Sequence, residues 1–209
     1  MKRTALLMVW GTTLLTIACQ ANLSQNLGYV IHLLIGRELP EGVIMNAAMI
    51  RSTYIAAAVA VFSVILIGIA IWPIRNENPT LRKCWRLLAP GYVVFPVAFV
   101  LTKIYNEQVI VQVICSFLVY GSAVLVMWWL FHGLDEWITA ERIPVEHELK
   151  PCIYFLITFF FLPTIYPFSD YGQWIQLLCL LAIFYRMYFF YRAAKTCEAA
   201  RQTGKEKNS

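Results

Sequence analysis

The sequence predicts an all-α fold: a polytopic transmembrane helical bundle of about six spans, or five should the N-terminal segment be cleaved. Three observations carry that expectation. Hydrophobic residues make up 60% of the 209 positions, charged residues only 14%, and the mean hydropathy is +0.63. Globular chains run nearer half apolar and a quarter charged, so this surplus suits hydrocarbon rather than water as the solvent. The apolar residues gather in runs near the length that crosses a bilayer, and the basic residues lie between those runs with a strong bias to alternate connections. A mass of 24.0 kDa leaves room for one bundle and no separate soluble domain.

The first span, residues 5–20, has a short apolar core that follows Lys2 and Arg3. That length suits a signal-peptide core as well as a first helix, and Thr16-Ile17-Ala18-Cys19 resembles a lipoprotein box with Thr where Leu is usual. Retention as a helix is the expectation; cleavage near Cys19 is the alternative. The second span, residues 53–73, carries no charge and is bounded by Arg51 and Arg75. The third, 87–105, contains Pro90 and Pro96, which membrane helices accept because neighbours re-satisfy the freed carbonyls, so a kink near Pro96 is expected. The fourth, 109–131, ends in Met127-Trp128-Trp129, suited to a headgroup boundary. The fifth and sixth, 152–166 and 174–191, are joined by the short turn 167–172 and should form an antiparallel hairpin. Together residues 1–191 read as the transmembrane domain. Residues 192–209 read as a basic cytoplasmic tail, which from Lys195 onward has little to bury and is expected to be mobile.

Charge sets the orientation. With the N-terminus inside, Lys2, Arg3, Arg75, Arg82, Lys83, Arg86, Arg142, Lys150, Arg186, Arg192, Lys195, Arg201, Lys205 and Lys207 are cytoplasmic, and only Arg37, Arg51 and Lys103 lie opposite. Both termini are then cytoplasmic, and short loops with this bias suit a bacterial inner membrane. The net charge of +5 is explained by membrane-flanking anchors in contact with the lipid bilayer, and it calls for no nucleic acid.

Neither a metal site nor a cofactor is expected. The cysteines at 19, 84, 115, 152, 179 and 197 form no CxxC pair and have no histidine at ligand spacing. His32 falls in an apolar stretch, residues 26–36, suited to an interfacial helix ended by Gly36 and Pro40. His132 and Glu136 are four apart and share a helical face, but two residues do not make a metal site. His147 stands between Glu146 and Glu148 and reads as part of a solvated charge run. Arg186, among Tyr185, Tyr188 and Phe189, reads as a snorkelling anchor rather than an anion site.

The segment 135–150 is the most distinctive, with Asp135, Glu136, Glu141, Glu146 and Glu148 against Arg142 and Lys150. Anionic headgroups would repel such a loop. It is a candidate contact for a basic cytoplasmic or membrane protein partner, the alternative being a short surface helix around residues 136–142 that solubilises the connection. Ser52, Ala56 and Ala60 recur every fourth residue, and Gly121-Ser122-Ala123 interrupts the fourth span. These are candidate helix-packing positions for the bundle or a homo-oligomer.

The spans hold almost no ionisable group, whereas pumps and ion-coupled carriers bury Asp, Glu, His or Lys on the path of charge. No HExxH, GxSxG or glycine-rich phosphate loop is present, and no internal repeat of the carrier type is evident. The leading expectation is a non-enzymatic membrane protein acting through protein contacts, in an assembly, exclusion or immunity type of role. The alternative is a small channel or carrier for a neutral or weakly polar solute, lined by helices bent at Pro96 and Pro163.

Overall fold

The computed structural model describes residues 1–19, 47–104, 109–165 and 170–206. Among these the chain forms six helices and no strand: α1 (Lys2–Cys19), α2 (Ala47–Ile71), α3 (Pro79–Ile104), α4 (Val109–Ala140), α5 (Cys152–Ile165) and α6 (Asp170–Glu206). The class is all-α, as the composition predicts. By length and apolar composition, one helical stretch among the described residues, Trp174–Thr203, suffices to cross a membrane; Ala58–Ile71 is apolar but shorter.

Three of the helices, α3, α4 and α6, extend well past the apolar runs that defined them in the sequence. Asn78 caps α3: its Oδ1 accepts from the backbone N–H of Thr80 at 2.7 Å and of Leu81 at 3.2 Å, while Pro79 occupies the first helical position, where no N–H is missed. This cap starts α3 eight residues before the expected span. The 32 residues of α4 and 37 of α6 exceed the roughly 20 that a bilayer core requires. Asp135 and Glu136, expected in a loop, therefore lie in the last turns of α4. Residues 192–206, expected as a tail that is mobile from Lys195 onward, continue α6, because Ala, Lys, Arg, Gln and Glu are strong helix formers even without apolar burial. α3 also runs on as helix through Pro90 and Pro96.

Each helix packs on the next in sequence, and α6 returns to α1, closing a circuit of six. The most extensive contacts are α1 with α2, α3 with α4, and α5 with α6. The core runs from Met8, Leu15, Val64 and Ile67 between α1 and α2 to Phe131, Leu134, Leu156, Met187 and Phe190 among α4, α5 and α6. At two glycines a facing helix comes too close for a side chain. A Cβ on Gly11 would stand 2.7 Å from Ile67 Cγ1 and 3.3 Å from the Ile67 nitrogen; one on Gly133 would stand 2.7 Å from Leu81 Cδ2 and 3.1 Å from the Leu81 nitrogen. Buried hydroxyls turn back on their own helix: Thr12 donates to Met8 O at 2.8 Å, Thr16 to Thr12 O at 2.8 Å and Ser63 to Val59 O at 2.6 Å.

Several expectations fall on residues outside those described: the interfacial stretch 26–36 with His32, the cleavage positions after Cys19, Arg37 and Pro40, the turn with Glu107, and the first half of the turn 167–172. The side chains of Arg51, Ser52, Ala56, Pro96, Lys103 and Pro163 are likewise outside.

Candidate functional site: the polar layer

Polar groups collect at one end of the bundle, where the turn 72–77, the connection 141–151, the start of α1 and the last turns of α6 meet. The layer is built outward from the end of α4. Asp135, buried at 8% exposure, accepts from the backbone N–H of Leu149 through Oδ1 and of Lys150 through Oδ2, each at 2.7 Å. These two bonds fix the approach of the connection to α5. Burial pushes the Asp135 carboxyl above its usual range, and the two N–H donors and the Lys150 charge oppose that shift without cancelling it.

One residue on, Glu136 bridges to α3. Its Oε2 accepts from Asn78 Nδ2 at 2.8 Å, so one asparagine both caps α3 and ties it to α4. Desolvation raises this carboxyl, but bonds from Thr80 and Asn78 and the nearby His132 and Lys150 hold it below the usual glutamate range. His132 Nε2 lies 3.4 Å from Glu136 Oε1, the pair expected from the four-residue spacing. Next, Trp137 Nε1 donates to Glu77 Oε2 at 3.1 Å, and its ring packs edge-on against Phe190 at 6.3 Å.

Ties to the chain ends complete the layer. Arg201 Nη2 meets Glu141 Oε2 at 2.9 Å, Arg186 donates to the Glu148 carbonyl, and the Met1 ammonium lies 3.5 Å from Glu198 Oε2. The Arg186 guanidinium also lies over the Phe155 ring of α5, 5.9 Å from its centroid.

Of the five candidate contact acids, Asp135, Glu136 and Glu141 are thus engaged inside the molecule, while Glu146 and Glu148 present carboxylates with no partner among the described residues. His147 is exposed beside the Tyr185 ring, 6.1 Å away. Among the described residues no group of three His, Cys, Asp or Glu side chains could hold a metal ion, and no disulfide links the cysteines. Of the packing candidates, Ala60 is buried in the core, whereas Gly121 faces outward with open space around its Cα. The close contacts lie at Gly11 and Gly133, which sequence reasoning did not single out; neither belongs to a repeating small-residue stripe. Asn78 was also missed, although Asn followed by Pro before a helical run is a legible capping signal.

The polar atoms of this layer chiefly satisfy helix ends and join elements. Compared with protein-family models, curated proteins and solved structures, the chain matches none of them.

Proposed function

We propose that the chain is a six-span membrane protein with the polar layer and both termini on the cytoplasmic side of a bacterial inner membrane, acting through contacts with other proteins and not as an enzyme. The observation that carries the embedding is the outward apolar surface: Trp10 and Ile17 on α1, Phe62 and Ile69 on α2, Val93 and Val97 on α3, Ile110 and Leu118 on α4, and Trp174 and Leu178 on α6 all stand exposed. Helices apolar on every side suit lipid, since soluble chains rarely leave contiguous patches of this extent uncovered. Lys2, Arg3, Arg82, Arg86, Arg142, Lys150 and Arg192 are exposed on the helices and connections that lead to the layer, a bias that supports a cytoplasmic side for that end. Reporter fusions after Pro79 and after Gly204 should read as cytoplasmic and one after Pro40 as opposite; a cytoplasmic reading at Pro40 overturns the topology.

The protein-contact role rests on the division among the acids. Three serve the fold, which leaves Glu146 and Glu148 on a surface connection as the pair available to a basic partner. Replacing both with Gln should leave insertion and folding intact and weaken a crosslinkable complex in a salt-sensitive manner. An unchanged complex would reduce the connection to a linker.

A further inference from the structure

On the outer face of the bundle, α2 and α3 leave a cleft of about 250 Å³ lined by Ile65, Gly68, Ile69, Trp72 and Trp85. It falls below the roughly 300–1,000 Å³ of pockets that enclose a small molecule, so it suits a chain lying against the surface rather than a captured solute. From Ile65 to Trp72 it runs seven residues along the helix, roughly 10 Å at 1.5 Å per residue. Its floor is apolar and its mouth is cationic. The Arg75 guanidinium stacks 3.2 Å over the Trp72 ring and uses one donor on the Trp72 carbonyl, at 2.6 Å, leaving the rest of its five N–H groups for a ligand. Arg82 reaches the same turn, donating to Asn76 O at 3.3 Å, and lies three residues before Trp85, on its helical face. No carboxylate pairs with either arginine among the described residues; the acid of the turn, Glu77, is taken by Trp137.

We infer that this cleft binds one anionic phospholipid, its phosphate held by Arg75 and Arg82 and an acyl chain lying along Ile65, Gly68 and Ile69. This rests on the membrane reading above. Charge complementarity selects the occupant: two unneutralised guanidinium groups favour a headgroup of net negative charge, and guanidinium forks match phosphate oxygens. A choline headgroup is disfavoured, because the Trp72 face that would receive a quaternary ammonium is already covered by Arg75. The two indoles, edge-on at 5.2 Å, hold the mouth in shape at the level where aromatic rings sit in a bilayer.

Native mass spectrometry of the full chain in mild detergent, with equimolar phosphatidylglycerol and phosphatidylcholine of matched acyl chains, tests this. The wild type should retain one phosphatidylglycerol in preference. Arg75→Gln should cut that retention about tenfold, the scale of one charge-assisted bond. Ile69→Trp, an exposed site that fills the cleft, should cut it with both arginines intact, and Lys195→Gln, an equal loss of charge elsewhere, should not. Equal retention of the two lipids, or equal losses for Arg75→Gln and Lys195→Gln, overturns the site. Release of the chain from membranes by alkaline carbonate would instead overturn the membrane reading beneath it, so the two failures are distinguishable.

Discussion

The α1–α2 and α3–α4 pairs solve the same packing problem with different chemistry. Each crosses where a glycine admits a neighbouring side chain, Gly11 against Ile67 and Gly133 against Leu81. Around Gly11 the polar atoms named above, Thr12, Thr16 and Ser63, bond only to carbonyls of their own helices. Around Gly133 they reach between elements: Asn78 to Glu136, Trp137 to Glu77, and Asp135 to the connection before α5. None of the three hydroxyl bonds sets the register of the first pair, whereas the second is registered by several. The three hydroxyls near Gly11 are satisfied locally, where no water waits to replace a broken bond; near the end of the bundle the ties run between elements.

The strongest way to break this contrast is to remove Asp135. Asp135→Ala leaves the buried Leu149 N–H and the part-buried Lys150 N–H without acceptors, which should destabilise the protein by roughly 2–4 kcal/mol in detergent unfolding, the sum of two lost acceptors. Thr12→Val, which removes a bond confined to α1, should cost far less. Asp135 also gives the contrast a pH signature. Its folded carboxyl titrates above the unfolded one, so its contribution is fully present below the unfolded pKa and is lost as pH rises through the folded pKa. The stability difference between wild type and Asp135→Asn should therefore shrink as pH rises across the range just above ordinary aspartate titration, against the opposite slope that Glu136 gives both proteins. A difference that instead grows through this window would show that the two N–H bonds outweigh burial.

The glycines sharpen the comparison at a smaller scale. Alanine at Gly11 or Gly133 forces a methyl within 3.3 Å of backbone on the facing helix, so each change should cost roughly 1–3 kcal/mol, as overpacking does. Gly133→Ala should be the worse, since the ties of the α3–α4 pair resist the shift that relieves the clash. Gly121→Ala meets nothing within 4 Å and should be neutral or stabilise by up to ~1 kcal/mol through helix propensity. A comparable cost at Gly121 would point to a second copy seated on that face.

Legibility in the sequence followed the same division. Periodicity and composition reveal helices where burial in an apolar zone dictates them, so the all-α class was readable. The ends were misread because hydropathy stops where polar residues begin, while α4 continues to Ala140 and α6 to Glu206 on propensity and long-range bonds. Asp135 and Glu136 looked like a repellent surface because their partners, Leu149, Lys150 and Asn78, are 14, 15 and 58 residues away. The His132–Glu136 pair, at helical spacing, was visible. The glycine crossings were not, because a glycine's fit depends on the helix opposite.

The smallest expected effect concerns how α4 ends. Ile143 N–H donates to Ile138 O at 3.0 Å and Arg142 N–H to Thr139 O at 3.2 Å, the paired bonds of a Schellman cap, and Ile138 and Ile143 are both buried beside it. The residue at the left-handed position of this cap is usually glycine; here it is Arg142, with φ of 50°. A side chain in that region costs about 1–2 kcal/mol. Glycine would remove the strain but give back roughly 0.4–1 kcal/mol through greater freedom of the unfolded chain. Arg142→Gly should thus stabilise the fold by about 0.5 kcal/mol, as a slight rise in the detergent unfolding midpoint. Arg142→Ala keeps the strain and loses only the charge, so it should leave the midpoint nearly unchanged. Should Arg142→Gly destabilise instead, the arginine side chain itself holds the turn that delivers Leu149 and Lys150 to Asp135, and the polar layer extends one residue further than the bonds above define it.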